Sequence, residues 1–465
     1  MTATPGASLT FHGGAGTVTG SKFLFDVRGS RMLIDCGLFQ GGRALEQRNW
    51  ADPPFAPESI DAVVLTHAHL DHSGYLPVLA RRGFRGPVHC TRASRDLLDI
   101  LWHDAARIQE EDAAYANRKK YSRHHPALPL FETRDVERVL EQVVVHRYHE
   151  PFAPVPGLHV DLRRSGHLLG SAIVTVTTDD GVRVCDTGDL GRWDQPILRD
   201  PEPPGATDVV LIEATYGDRL HATDSAEQLA RAVREGARRG GAILIPAFAA
   251  GRTQSLIWML DELEATGRIP SLPVYVDSPM ANRVSEVTCR HSEDLDEPMR
   301  KAMSAQRCPL CNRAYHLIAT KEESIAINAL TGPFLLIAGS GMLTGGRMLH
   351  HMRLRLPDER TTVLLIGYQG QGTRGRQLID GSEFVRIHGT DVRVGARVEF
   401  IDGLSAHADR NDLLRWLAAL PSPPRTVYVI HAEPRPALAL AEAIRERFGW
   451  SAEVAREGQR VRLEP

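Results

Sequence analysis

Between Asp61 and Ala80 the chain passes from an apolar stretch, Ala62-Val63-Val64-Leu65-Thr66, through His67-Ala68-His69-Leu70-Asp71-His72, into Ser73-Gly74-Tyr75-Leu76-Pro77-Val78-Leu79-Ala80. The first piece reads as a buried strand and the last as the start of a helix, so three histidines and an aspartate fall in one strand-to-helix connection. Along an extended backbone alternate side chains share a side, which lets His67 and His69 face one cation. Asp71 and His72 come after the bend and face a second. A surface-exposed histidine cluster is the plainer reading of the same six residues.

The chain has 465 residues, 42% hydrophobic and 24% charged, enough for a globular protein of two or three domains. The start, Met1-Thr2-Ala3-Thr4-Pro5-Gly6, lacks a signal peptide's basic segment and apolar core, and no apolar run reaches membrane-spanning length. A cytoplasmic protein without a membrane partner is the expectation. Cys36, Cys90 and Cys185 fit it, since they sit in apolar strand-like segments where a reduced thiol is a small hydrophobe. A formal net charge of -3 gives no overall basic field, although a local groove holding cations can still take a polyanion.

Short alternating pieces at 8–12, 21–27 and 31–35 read as antiparallel sheet. A strand at 87–90 and a helix from Ser94 to about Arg118 follow the histidine loop. Residues 119 to 130, with Lys119, Lys120, Arg123, His124 and His125, read as a solvated basic loop. Strands resume at 159–164, 172–177 and 182–185. From Asp208 strands and helices alternate up to about Ile379, the rhythm of a doubly wound parallel sheet. Antiparallel character returns at 384–388 and 396–401, before helices at 409–419 and 434–448 that flank a strand at 427–430. The expected architecture is α/β: residues 1–207 form a first domain, 208–383 are inserted into it, and 384–465 resume it.

A two-metal site needs more than four ligands. His167 follows a strand between two glycines, in Ser165-Gly166-His167-Leu168-Leu169-Gly170, and Asp189 ends the run Cys185-Asp186-Thr187-Gly188-Asp189, where a carboxylate can bridge two cations. Asp35, closing the strand before Cys36-Gly37, is placed to orient a ligand histidine.

Together, and in this order, His67, His69, Asp71, His72, His167 and Asp189 resemble the metal-binding motifs of the metallo-β-lactamase superfamily. The inserted region resembles its β-CASP branch, which includes bacterial RNA-processing nucleases and the endonuclease subunit of the eukaryotic pre-mRNA 3′-end cleavage factor. That likeness rests on Glu213 in Ile212-Glu213-Ala214-Thr215-Tyr216-Gly217-Asp218, on Asp277-Ser278-Pro279-Met280-Ala281, and on Gly339-Ser340-Gly341-Met342 with Gly345-Gly346-Arg347. Gly367-Tyr368-Gln369 with Gly372-Thr373, Ser405-Ala406-His407-Ala408-Asp409 and Val429-Ile430-His431-Ala432-Glu433 complete it. Two positions depart from the family: Ala432 stands where glycine is usual after the final histidine, and Ala214 where serine is usual after the motif glutamate.

The resemblance implies an αββα metallo-β-lactamase sandwich with an inserted β-CASP domain. It also implies two Zn2+ ions, or Mn2+ in their place. His67, His69 and His167 would hold one ion, Asp71, His72 and His431 the other, with Asp189 between them. A bridging hydroxide would attack phosphorus, giving a 5′-phosphate and a 3′-hydroxyl. His407 would protonate the leaving oxygen and Glu213 would orient its ring, so that His407, Glu213, Asp71 and Asp189 form the catalytic set. DNA-acting relatives carry an apolar residue at the final motif, so His431 favours single-stranded RNA. Phosphate contacts would come from Ser278, Ser340, Gly341, Arg347 and Arg252, and the catalytic site would lie between the two domains. Members of the family often form dimers, which admits a homodimer here. The competing functions are a thioester or lactam hydrolase on the same scaffold and a non-catalytic RNA-binding scaffold. Cys308-Pro309-Leu310-Cys311, with Cys289, His291 and His316 nearby, has the spacing of half an accessory zinc site. A single such pair makes ordinary loop thiols the expectation.

Overall fold

The computed structural model describes residues 7–120, 122, 124–304, 308–311, 315–367, 369–370 and 372–465. Of the residues singled out above, Met1–Gly6, Arg123, Tyr368 and the Cys311 side chain lie outside the described part. The chain forms two compact units: 1–194 with 200–220 and 407–465, and 195–199 with 221–406.

Two seven-stranded sheets make the first unit. In one, Arg460–Leu463, Ala7–Phe11, Phe23–Val27 and Ser30–Ile34 run antiparallel, then Ala62–Val64, Val88–Thr91 and Val143–His146 continue parallel to Ser30–Ile34. In the other the order is Ala452–Val454, Thr426–Ile430, Val209–Glu213, Arg183–Asp186, Ala172–Thr178, Leu158–Arg164 and Phe152–Val155. Side chains alternate across a strand, so Phe23, Phe25 and Val27 of the first sheet and Val174, Val176, Val184, Leu211 and Ile430 of the second meet in one buried core. The opposite face of the second sheet, with Cys185, Val210, Ile212 and Val429, is covered by the helices Arg410–Ala418 and Pro434–Phe448 through Trp416, Leu417, Leu440 and Ile444. The helices Leu76–Arg81 and Arg92–Lys119 belong to the first sheet's side of the unit. This is the αββα sandwich. Val209–Glu213 is buried on both faces, which is why Val-Val-Leu-Ile shows no alternation. Truncating a fully buried core ring such as Phe25 would cost about 3–5 kcal/mol.

The second unit holds a six-stranded, all-parallel sheet, in the order Tyr315–Leu317, Val274–Asp277, Phe334–Ala338, Ala242–Pro246, Thr362–Ile366 and Arg397–Ile401. Helices Arg252–Ala265, Pro279–Arg290 and Arg347–Arg355 lie between its strands along the chain, as a doubly wound pattern requires, and Ser225–Arg239 leads into its first strand, Ala242–Pro246. One expectation is corrected here. Arg397–Ile401 pairs parallel with Thr362–Ile366, and only the hairpin Phe384–Ile387 and Thr390–Arg393 is antiparallel. As an edge strand with Arg397 and Phe400 exposed and Ile401 buried, it carries the partial alternation that makes an antiparallel strand the natural reading.

Two more expectations change. A separate one-turn helix, Leu70–Ser73, precedes the expected one, which runs Leu76–Arg81, so Asp71 and His72 sit on a helical turn rather than in the loop. Cys289 and Cys308 are not simple loop thiols: their sulfurs are joined. Cys36, Cys90 and Cys185 are buried and unpaired, with their thiols pushed up to about 12 by burial. Among the described residues no helix is long and apolar enough to cross a membrane.

Candidate metal centre

Strand ends deliver the donors. Arg183–Asp186, Val209–Glu213 and Thr426–Ile430 are parallel neighbours; Glu213 is the last residue of its strand, and Asp189 and His431 come just beyond the carboxyl ends of the other two. In the other sheet Ser30–Ile34 and Ala62–Val64 are parallel neighbours that end in Asp35 and the His67–His72 segment. His167 lies in the connection between Leu158–Arg164 and Ala172–Thr178. All of these residues, with His407, belong to the first unit.

Each oxygen of the Asp189 carboxylate faces its own set of imidazoles. Oδ2 lies 3.4 Å from His67 Nε2 and 3.3 Å from His167 Nε2, while Oδ1 lies 3.2 Å from His72 Nε2 and 3.4 Å from His431 Nδ1. Around Oδ2, His69 Nδ1 is 3.0 Å from His67 Nε2 and 3.2 Å from His167 Nε2. Around Oδ1, His72 Nε2 and His431 Nε2 are 3.1 Å apart, and His431 Nε2 is 3.6 Å from Asp71 Oδ2. His67, His69, His167 and Asp189 therefore converge as one donor group, and Asp71, His72 and His431 as another.

These atoms fit cations. Asp189 Oδ1 and His167 Nδ1 are buried without a hydrogen-bond partner. Burial pushes the His67 imidazole down to about 3 and that of His167 well below its usual range, so both rings are neutral and offer lone pairs. Lone pairs of neutral rings held about 3 Å apart repel unless something positive lies among them. Burial would raise the Asp71 carboxyl, but the His431 and His72 rings outweigh it and hold the group below its usual range.

The surrounding contacts hold the donors in place. Asp35 Oδ2 is 2.7 Å from His72 Nδ1, and Asp35 accepts hydrogen bonds from the Thr66 N–H and hydroxyl, both 2.8 Å. Thr66 Oγ1 also lies 3.0 Å from His67 Nδ1, so one hydroxyl ties a histidine of each group to the same carboxylate. Thr215 Oγ1 lies 3.2 Å from His431 Nδ1. The Asp71 carbonyl accepts the Ser21 N–H at 3.0 Å, and a Cβ on Gly37 would overlap that carbonyl oxygen. The buried Lys22 ammonium donates to the Gly37 carbonyl at 2.5 Å and to that of Gly20 at 3.2 Å, pinning the loop that backs Asp71.

A third group stands beside these two. His407 Nδ1 is 3.0 and 3.3 Å from the two oxygens of Glu213, and 3.9 Å from Asp189 Oδ2. Burial alone would lower the His407 pKa; the Glu213 and Asp189 carboxylates outweigh it and raise it to about 9, so the ring is an imidazolium at neutral pH. Leu190 aligns the pair, its N–H donating to Glu213 Oε1 at 2.8 Å and its carbonyl accepting the Ala408 N–H at 2.7 Å. Ala214 and Ala432, the two departures from the family pattern, are buried in the apolar layer under the two covering helices, where their methyls fill space.

Thr66, Thr215 and Asp186 were not singled out from the sequence. Asp186 is fully buried, and burial, with Asp35 nearby, raises its carboxyl to about 8. A threonine or aspartate at a strand end is commonplace, and only the pairing of distant strands reveals these contacts.

The residues expected at phosphate lie in the second unit. Ser278 Oγ caps its helix by accepting the Ala281 N–H at 3.2 Å. Ser340 Oγ accepts the Thr344 and Gly345 N–H groups at 3.0 and 3.3 Å, and Gly341 packs against the Phe248 ring. The Arg347 guanidinium is engaged by the buried Asp277 carboxylate at 2.7 Å. Arg252 lies beside Gly367.

Three family models match the chain: a beta-lactamase superfamily domain over residues 30–245, a Beta-Casp domain over 253–378, and a Zn-dependent metallo-hydrolase RNA specificity domain over 391–455. With the αββα sandwich and its His/Asp donors, they define a metallo-β-lactamase-type hydrolase. Ribonuclease TTHA0252 of Thermus thermophilus is 37% identical over 97% of this chain and 98% of its own length. Transcription termination factor FttA of Pyrococcus abyssi is 31% identical over 98% of this chain and 71% of its own. A protein of unknown function from Enterococcus faecalis, solved by crystallography, shares the fold with a TM-score of 0.55 at 14% identity, over 98% of this chain and all of that one. The chain belongs to the β-CASP branch of the metallo-β-lactamase superfamily.

Proposed function

We propose that the chain is a zinc-dependent ribonuclease that hydrolyses phosphodiester bonds of single-stranded RNA, leaving 5′-phosphate and 3′-hydroxyl ends. The observation that carries this reading is the Asp189 carboxylate, which turns one oxygen to each imidazole group while His407 and Glu213 stand beside it. His67, His69, His167 and Asp189 would hold one ion; Asp71, His72, His431 and Asp189 would hold the other. Bound there, two divalent ions supply Lewis acidity that lowers the pKa of water and offsets charge on phosphate oxygens.

The chain's own groups supply the proton. Glu213 accepts from His407 Nδ1–H and so fixes the ring's orientation, and the imidazolium gives its Nε2 proton to the departing 3′-oxygen. The ribose 2′-hydroxyl takes no part, so RNA preference is a matter of contacts. For these we assign the Ser340-Gly341 turn and Arg252. Ser278 and Arg347 hold their own loops, one as a helix cap and the other through Asp277. Support for RNA as substrate comes from the match to an RNA specificity domain and from the relative named a ribonuclease. A non-catalytic scaffold has no use for a full donor set with an acid beside it, and a thioester or lactam hydrolase has no use for the His407–Glu213 pair.

Labelled single-stranded RNA, incubated with zinc-loaded protein with and without a chelator, tests the reading. Chelator-sensitive cleavage with 5′-phosphate ends is expected. Intact RNA across lengths and 5′-end chemistries would remove it.

A further inference from the structure

In the second unit the hairpin of Phe384–Ile387 and Thr390–Arg393 closes on His388-Gly389, both at positive φ, as a two-residue type I′ turn requires. Alternation divides its side chains. Val385, Ile387 and Val392 enter the core beside Met348, Met352 and Leu378, while the residues between them face outward. A solvated face calls for polar side chains, yet Phe384 stands on it 56% exposed. Directly across the ladder is Arg393, and two residues along comes Arg386, opposite Asp391. Arg386 and Asp391 approach only to 4.0 Å with both side chains largely exposed, so little of the guanidinium charge is neutralised. At the tip the His388 ring stacks on His350 of the helix Arg347–Arg355, with centroids 4.4 Å apart and planes 24° from parallel. Burial first, then His388, His351, Lys321 and Arg353, hold the His350 imidazole below its ordinary value, so Lys321 and Arg353 add positive charge near the tip.

The hairpin is also tied to the turn assigned above to phosphate. Arg374 donates through Nε to the Arg386 carbonyl at 2.7 Å, and through a terminal nitrogen to the Leu343 and Thr344 carbonyls at 3.0 and 3.3 Å. Those carbonyls follow closely on Ser340-Gly341, where the exposed Phe248 ring packs against Gly341. We propose that the outward face of this hairpin, with Phe384, Arg386, Arg393 and the His350–His388 tip, is a further binding surface for single-stranded RNA, taking up strand that runs on from the Ser340-Gly341 turn. The choice of occupant rests on the ribonuclease reading. An aromatic ring beside guanidinium groups suits a single strand, because every base offers a face that stacks and every phosphate a charge. Phe384 is the one apolar residue on the hairpin's outward face, which is too little for the desolvated centre that a protein partner needs. None of these residues belongs to the donor groups or to the His407–Glu213 pair, so the surface governs affinity for RNA rather than the bond-breaking step.

Binding is the test. Fluorescence anisotropy of labelled oligouridylate is measured on full-length, zinc-loaded His407→Ala protein, in which bound RNA stays intact long enough to titrate. Adding Phe384→Ala should weaken binding by about 5- to 100-fold, and Phe384→Tyr in its place should restore it. Arg386→Gln together with Arg393→Gln should flatten the slope of log K against log salt by about 1.4, the share of two phosphates on a single strand. RNA binding that none of these substitutions alters would overturn the proposal and leave the face to a protein partner. No RNA binding at all would remove the ribonuclease reading along with it. If a variant misfolds, photocrosslinking of 4-thiouridine-substituted RNA to the otherwise unaltered protein decides: crosslinks within residues 384–393 are expected, and their absence refutes the assignment.

Discussion

Glu213→Gln separates the charge of the acid-orienting group from its shape. Glutamine keeps an oxygen to accept the Leu190 N–H, but removes the negative charge 3.0 Å from His407 Nδ1. The His407 pKa of about 9 reflects carboxylates that outweigh burial; without Glu213 it falls back toward the ordinary 6.5. That difference is worth about 3 kcal/mol between the two protonation states. A raised histidine pKa means that the acid form is present below it and lost above it. At pH 8 the protonated fraction drops from about nine-tenths to about one-thirtieth, and at pH 6 by less than about a third. Single-turnover cleavage of end-labelled single-stranded RNA from pH 6 to 9 should therefore show the variant roughly thirtyfold slower at pH 8 and nearly restored at pH 6. Cations in the centre lower the pKa in both proteins, so the separation of the two curves is what is compared. Superimposable profiles would refute the assignment of His407 as the acid held by Glu213, and so would a variant slowed equally at every pH.

His407→Ala should retain its full metal complement, measured by elemental analysis, while cleavage slows by about 10²- to 10⁴-fold. Asp189→Ala leaves the two imidazole groups without their shared carboxylate, and metal content and activity should disappear together. Asp35→Asn removes the charge from His72 Nδ1 and disturbs its pairing with Thr66; metal affinity should fall by about 10- to 100-fold in a competition titration, with the fold retained by circular dichroism. Gly37→Ala forces a methyl into the Asp71 carbonyl, so the variant should either bind less metal or unfold at lower temperature; unchanged metal binding together with an unchanged Tm would contradict the close approach.

The strand-and-helix rhythm was legible because each element carries its period: Phe23, Phe25 and Val27 alternate, and Val-Val-Leu-Ile at 209–212 runs apolar because both faces are covered. Arg397–Ile401 was misread because an exposed edge erases the pattern that marks a parallel strand. Donors could be singled out because few residue types offer metal lone pairs and most stand in connections that follow strands, although each is a weak signal until taken together with the first loop. What local sequence could not carry is mutual arrangement. Thr66 reaching His67 and Asp35, and Leu190 joining Glu213 to Ala408, depend on strands brought together from distant parts of the chain. The fate of the cysteines was hidden in the same way: the Cys308–Cys311 spacing reads as half a zinc site or as loop thiols, and neither reading foresees the bond that joins Cys308 to Cys289.

The parallel pairing of Val209–Glu213 with Thr426–Ile430 also has a consequence in time. A ribosome delivers His67 to Asp189 early, but His407 and His431 emerge only after the whole second unit has been made. Until Thr426–Ile430 takes its place in the sheet, the half-built chain lacks His431, the last residue of the second donor group. If His431 completes the second donor group as proposed, a nascent chain that has not yet formed that strand should not cut the message it is being read from, and a product cut short before it should lack cleavage activity.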